Sequence, residues 1–229
     1  MTPVRATAEL LWTSALTFDG MGEHNREFCS LLNTAIRDDH PKLAYPTAML
    51  LRGLNAMCCA GRGGGVLPFP SRGVTYRGGG FDDSYRGFFT KGKQYRQPGF
   101  LATSFSEAKA QEFLEKAVTY GRQPILWVVH VDPAGEHVTT QRCNHVNFVL
   151  HSVIDNPHGP PDPDTSVEKE YLFTAYSIFT IRSVTWGEGG AAHRIELDAA
   201  TDNRVEAEGG DGPWATPVGS EGLPLAPWS

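Results

Sequence analysis

The sequence predicts an α+β fold. Helix-period apolar patterns gather in the first sixty residues, short β-prone runs dominate from Val74 onward, and the two kinds of segment do not alternate as βαβ units do. Asn25 is placed to cap a helix from about Arg26, along which Phe28, Leu31, Leu32, Ala35 and Ile36 recur at helical spacing until Pro41 stops it. A second helix begins about Pro46, a good first-turn residue, and turns Leu50, Leu51, Leu54 and Met57 inward. Residues Gly61 to Pro70 form a Gly/Pro-rich loop.

From Val74 the pattern changes to strands. Val74-Thr75-Tyr76-Arg77 is a short β-prone run that ends in three glycines. Pro98 to Phe105 reads as an apolar strand turning polar, and Ser106 followed by Glu107 is an N-cap signal for a helix to about Val118. That helix is expected to bury Ala110, Phe113, Leu114 and Ala117. Ile125 to Val131 is a strand ended by Asp132-Pro133, Val146 to Ser152 another, and Tyr171 to Trp186 one or two more with a bend near Tyr176-Ser177. His193 to Leu197 adds a last strand. The stretch from Asn156 to Ser166 holds four prolines and reads as a long mobile loop. The chain therefore divides into one domain over 1–208, helical over about 1–60 and strand-rich over about 70–208, and a flexible Gly/Pro-rich tail over 209–229.

Composition narrows the function. The 229 residues are 40% hydrophobic, enough for a core, and the net charge of −6 disfavours nonspecific binding of nucleic acid. Basic residues do gather between Arg72 and Arg96, a local cluster suited to a small anion such as a pyrophosphate. Four cysteines, among them Cys29 and the adjacent Cys58-Cys59, make neither a disulfide scaffold nor a zinc knuckle, and Cys29 reads as a buried free thiol. His145, His151 and His158 form no recognised ligand pair with a carboxylate, so no metal is expected. No signal peptide and no membrane span are legible, which implies an intracellular, cytoplasmic location; secretion stays open if a leader was removed. The glycine triplets at 63–65 and 78–80 are not dinucleotide fingerprints, and there is no nucleophile elbow.

One motif carries more. Glu168-Lys169-Glu170-Tyr171-Leu172-Phe173 sets two carboxylates at spacing two where a polar loop meets an apolar run, and alternate residues of an extended segment point the same way. Paired acids can divide the work: one stabilises a developing cation and the other holds or deprotonates a nucleophile. Alone, a Glu-x-Glu pair also describes a solvated strand edge. Two further pieces precede it, Arg77 at a strand end and the hydroxyls after Phe100 in Phe100-Leu101-Ala102-Thr103-Ser104.

Arginine, then hydroxyls after an aromatic, then Glu-x-Glu, in this order over about a hundred residues, resembles the Arg-Ser-Glu class of mono-ADP-ribosyltransferases. The resemblance implies an α+β fold with N-terminal helices and two roughly perpendicular mixed β-sheets, with NAD in the cleft between them. It makes 1–208 the ADP-ribosyltransferase domain. It implies NAD as co-substrate, no metal, and a protein acceptor with an accessible arginine. By that resemblance Glu170 is the catalytic carboxylate and Glu168 orients the incoming guanidinium. Arg77 and Gly78 meet the NAD phosphates, while Thr103 and Ser104 fix the nicotinamide ribose and the Glu170 strand. The sequence departs from the family at one point: the first serine of the motif is Ala102. Two other readings therefore stand beside the arginine-specific transferase: an NAD glycohydrolase, and a noncatalytic NAD-binding or protein-binding module.

Overall fold

The computed structural model describes residues 7, 11–12, 17–20, 23–38, 44–58, 73–131, 145–147, 170–199 and 223–227. A hairpin of β1 (Thr17–Gly20) and β2 (Glu23–Glu27) leads into α1 (Phe28–Arg37), followed by α2 (Ala44–Cys58). The helix start differs from the sequence expectation. Asn25 lies in β2, and the N-cap position is Glu27, whose side chain makes no capping hydrogen bond. Pairing with β1 satisfies the backbone of Glu23–Glu27, so the helical pattern takes hold only at Phe28.

The remaining described elements build one mixed sheet of eight strands, in the order β4-β9-β10-β6-β3-β5-β8-β7. The strands are β3 (Gly73–Phe81), β4 (Gln94–Arg96), β5 (Leu101–Ser104), β6 (Gln123–Val131), β7 (His145–Asn147), β8 (Glu170–Phe173), β9 (Ile178–Thr185) and β10 (His193–Ala199). The fold is α+β, as the sequence predicts. The large sheet falls into two halves, a five-strand half ending at β3 and a three-strand half starting at β5, joined by one register pair, Tyr76↔Ser104. Two half-sheets sharing one pair can diverge beyond it, because no ladder holds their edges together.

Helix α3 (Glu107–Thr119) follows β5 directly, and the Ser106 hydroxyl accepts from the Lys109 amide at 3.4 Å, the cap the sequence predicts. Ala110 and Leu114 are buried against Leu126 and Val128 of β6, and Ala117 on the same stripe is buried too. Phe113, expected inside, is 41% exposed, and its ring lies 4.8 Å from the Lys116 ammonium. Its position is turned off the Ala110-Leu114-Ala117 stripe, and that stripe lies so close to β3 that a large ring does not fit beneath it.

On the opposite face of the sheet, Phe173, Phe179, Ile181, Ile195 and Leu197 are fully buried with an aromatic group of Phe81, Phe89 and Trp127. Each such side chain stabilises the fold by about 1.5–3 kcal/mol. His193, also fully buried, accepts the Gly187 amide at 2.8 Å on Nδ1 and meets Asp83 Oδ1 at 2.9 Å through Nε2. It pins the 3₁₀ turn Asp83–Phe88 to β10. A smaller core of Trp12, Leu32, Ile36, Leu54, Phe100 and Leu172 joins the N-terminal helices to β5 and β8. Met57's side chain lies outside the described residues.

The bend predicted near Tyr176-Ser177 is a turn between β8 and β9, with Tyr176 in the left-handed region at φ 63°. Its amide donates to Gln97 at 2.6 Å and its carbonyl accepts from Arg96 at 3.1 Å. The C-terminal tail is not free throughout its length. Arg96 donates its amide to Pro224 and accepts from Ala226, whose side chain is buried. Apolar Leu225-Ala226 adds to the open edge of β4, which composition alone does not reveal. The 156–167 loop and Trp214 and Trp228 lie outside the described residues.

Candidate active site

Three strands bring the motif residues together. β5 and β8 run antiparallel with Ser104 opposite Glu170, Thr103 opposite Tyr171 and Ala102 opposite Leu172. Directly opposed residues share a face at about 4.5–5.5 Å between Cβ atoms. Ser104 and Glu170 are therefore neighbours on one face, and Ala102 lies on that face one pleat further on. β3 contributes Arg77, whose Nη1 donates to the Ala102 carbonyl at 2.8 Å.

Strand alternation separates the two hydroxyls. Thr103 faces the other way and is buried, with Oγ1 donating to the Tyr171 carbonyl at 2.7 Å. It ties β5 to the Glu170 strand from behind and does not share Glu170's face. Ser104 Oγ accepts the Ser106 amide at 2.9 Å, which orders the turn from β5 into α3.

Gly78 has a packing task that the sequence did not reveal. A Cβ there would lie 1.8 Å from the Ala110 carbonyl oxygen and 2.8 Å from the Leu114 amide nitrogen. Its missing side chain lets α3 lie on β3, so helix packing by itself requires a glycine here. Of the basic cluster, Arg86 pairs with Asp83 at 2.9 Å, Lys93 donates to the Phe88 carbonyl at 2.9 Å, and Arg96 donates to Tyr176. These cations hold turns, and Arg77 is the member beside Glu170. Glu168 lies outside the described residues.

Arg77 is open to solvent by surface area, whereas the density of protein around its guanidinium lowers its pKa from the ordinary value. Cys29 and Glu170 act in the opposite sense. The Arg77 side chain is exposed, and exposure is the property that governs reach to a ligand.

Three more residues lie near the site, and two of them, Trp12 and Asn33, carried no legible signal. Trp12, buried, donates Nε1–H to Glu170 Oε1 at 3.0 Å, with its ring centroid 5.1 Å from that of Phe100. Asn33 of α1 clamps Phe100, accepting its amide at 2.8 Å and donating to its carbonyl at 3.1 Å. The amide stands against Gly99, where a Cβ would meet Asn33 Oδ1 at 2.7 Å. Cys29 is half-buried, with Sγ 3.6 Å from Glu27 Oε2. Burial first, then the Glu27 charge and its hydrogen bond, push the thiol up to about 11. Cys29 is thus a neutral thiol at neutral pH and no nucleophile.

The arrangement offers a carboxylate held by an indole, a hydroxyl beside it and a guanidinium across from it. Such a set can bind a phosphate-bearing substrate and stabilise positive charge next to Glu170. No family profile matches the sequence, and no curated protein matches it. Among solved structures the chain is similar to Vis toxin, an ADP-ribosyltransferase from Vibrio splendidus, with TM-score 0.55 and 13% identity over 90% of this chain and 76% of that one. It is also similar to exoenzyme S from Pseudomonas aeruginosa in complex with human 14-3-3 protein beta and bound to carba-NAD, with TM-score 0.52 and 17% identity over 91% and 80%. The ADP-ribosyltransferase HopU1 of Pseudomonas syringae pv. Tomato DC3000 gives TM-score 0.52 and 16% identity over 86% and 76%. The chain has the ADP-ribosyltransferase fold. Among the described residues, no helix is long and apolar enough to cross a membrane.

Arg77→Lys is expected to weaken NAD binding, by about tenfold if one forked contact is lost. Lysine keeps the charge and loses the planar pair of donors. Calorimetric titration with NAD is the check, and an unchanged dissociation constant removes Arg77 from the site.

Proposed function

We propose that this protein is an NAD-dependent mono-ADP-ribosyltransferase that transfers ADP-ribose to arginine side chains of a protein acceptor and releases nicotinamide. The observation that carries the reading is the meeting of Arg77, Ser104 and Glu170 within a fold shared with solved ADP-ribosyltransferases.

In this reading the nicotinamide–ribose C–N bond breaks through a transition state that gains positive charge on the ribose. Glu170 stabilises that charge and accepts a hydrogen bond from a ribose hydroxyl. Arg77 holds the diphosphate, and Ser104 lies beside the nicotinamide ribose. Thr103 acts through the Glu170 strand by its bond to Tyr171. The arginine acceptor rests on Glu168, two residues before Glu170, which would orient the guanidinium and help remove its proton. The similarity to exoenzyme S, solved in complex with 14-3-3 protein beta and bound to carba-NAD, supports NAD as the co-substrate.

Ala102 motivates the noncatalytic alternative, and its packing supplies a local reason for the alanine. It lies half-buried against the apolar cluster of Trp12, Phe100 and Leu172, where a small apolar side chain fits. The transferase reading therefore needs no loss of function to account for position 102.

Incubation with labelled NAD and a cell lysate, followed by mapping of the modified residue type, tests the function directly. Label on arginine is the expected result. Glu168→Gln is expected to spare NAD hydrolysis and to lower transfer to an arginine acceptor by about a hundredfold, the scale of a lost general base. Equal loss of both activities assigns Glu168 to bond breaking and removes the arginine assignment. Nicotinamide release that no acceptor accelerates identifies an NAD glycohydrolase, and NAD binding without turnover identifies a binding module.

A further inference from the structure

Glu170 is held by a residue far away in sequence. Trp12 Nε1 donates to Oε1 at 3.0 Å, across 158 positions. The indole is fixed from several sides: it is 5% exposed, packs against Leu32, Ile36, Leu54 and Leu172, and tilts against Phe100. Phe100 is itself clamped through its backbone by Asn33. The donor is thus carried on a rigid ring whose position is set by the junction of α1, α2, β5 and β8. A tryptophan N–H is a donor only, so it cannot take the proton of a reacting group. Ala102, which shares Glu170's face through the β5–β8 register, carries no side-chain donor.

A carboxylate has two oxygens and turns about its terminal torsion, which is broad. A fixed donor on Oε1 selects one rotation of the group and defines where Oε2 points. We infer that Trp12 is a positioning residue for Glu170: its indole N–H fixes the rotation of the carboxylate relative to the ribose of NAD. This inference rests on the transferase reading. It goes further by assigning the alignment of the catalytic acid to the N-terminal segment, outside the three sequence motifs.

Trp12→Phe tests it in the full chain. Phenylalanine retains a ring against Phe100 and removes the N–H. The rate of nicotinamide release at saturating NAD is expected to fall about tenfold, the scale of a lost hydrogen bond to a charged group. The KM for NAD is expected to stay within about twofold and the melting temperature within about 3 °C, because the ring still fills the cluster. A fall in kcat with KM and melting temperature held supports alignment. An unchanged kcat overturns it. A raised kcat also overturns it, since the indole would then be obstructing Glu170. A kcat that falls only together with the melting temperature assigns Trp12 to packing alone.

A second measurement does not depend on the Trp12 variant folding. The indole ¹⁵N–¹H resonance of Trp12, assigned in the parent by selective labelling, is expected to shift in Glu170→Ala and not in Glu112→Ala, a surface change on α3. An unmoved resonance in Glu170→Ala overturns the contact. A parent chain that releases no nicotinamide defeats the transferase reading and this inference together, whereas an active parent indifferent to Trp12→Phe defeats the inference alone.

Discussion

Glu170→Gln is expected to abolish both ADP-ribose transfer and NAD hydrolysis, with a loss on the order of a hundredfold or more in the rate of nicotinamide release. Glutamine has nearly the same size and leaves Trp12 Nε1–H an oxygen to bond, so the indole contact and the β5–β8 ladder are expected to survive. The change removes one negative charge from the point where the ribose becomes cationic. Position and hydrogen bonding stay almost the same, which isolates electrostatic stabilisation from geometry. Near-normal nicotinamide release by this variant would show that the catalytic acid lies elsewhere. Its NAD affinity is expected to change much less than its rate, because the charge acts chiefly on the transition state.

Gly78→Ala is expected to lower stability by about 3 kcal/mol or more, the upper range for overpacking, which corresponds to a fall of roughly 6–12 °C in melting temperature for a chain of this size. The added Cβ would stand 1.8 Å from the Ala110 carbonyl oxygen. The obstacle is helix backbone, not a flexible side chain, so α3 must move off β3 or the strand must bend. Gly79→Ala is the control, since a Cβ there meets nothing within 4 Å and its φ is ordinary. It is expected to leave the melting temperature within about 2 °C. Thermal melts of the two variants make the comparison. If Gly78→Ala melts like the parent and binds NAD more weakly, the glycine serves a ligand after all.

The two glycines show why sequence alone assigned Gly78 to the phosphates. A glycine run beside an arginine is equally consistent with backbone approaching a ligand and with backbone approaching a helix. The deciding fact is where α3 lies, and Ala110 is more than thirty residues away in the chain. The basic cluster has the same ambiguity. Composition counts the charges of Arg77, Arg86, Lys93 and Arg96 together, whereas the fold ties three of them to local turns and sends Arg77 toward Ala102.

The sequence by itself determined whatever depends on residues close together in the chain. The strand-to-helix switch at Ser106, the apolar strand Ile125 to Val131 and the break at Tyr176 follow from capping, periodicity and turn chemistry, and each stands within a residue or two of its expected place. The order of Arg77, Ser104 and Glu170 was legible along the chain, and Ser104 and Glu170 do lie at strand ends, but Arg77, expected at a strand end, stands in the middle of β3, because the three glycines after it continue the ladder with β6. Alternation along one strand also separates Thr103 from Ser104, although using it required knowing that β5 pairs with β8 in that register. Only the tertiary structure decided the rest. It joined the two half-sheets through Tyr76 and Ser104, placed Leu225-Ala226 on the edge of β4, and brought Trp12 and Asn33 to the site. Those contacts span from 28 to 158 residues. No local pattern encodes them, because a hydrogen bond between distant residues is specified by the packing of every element between them.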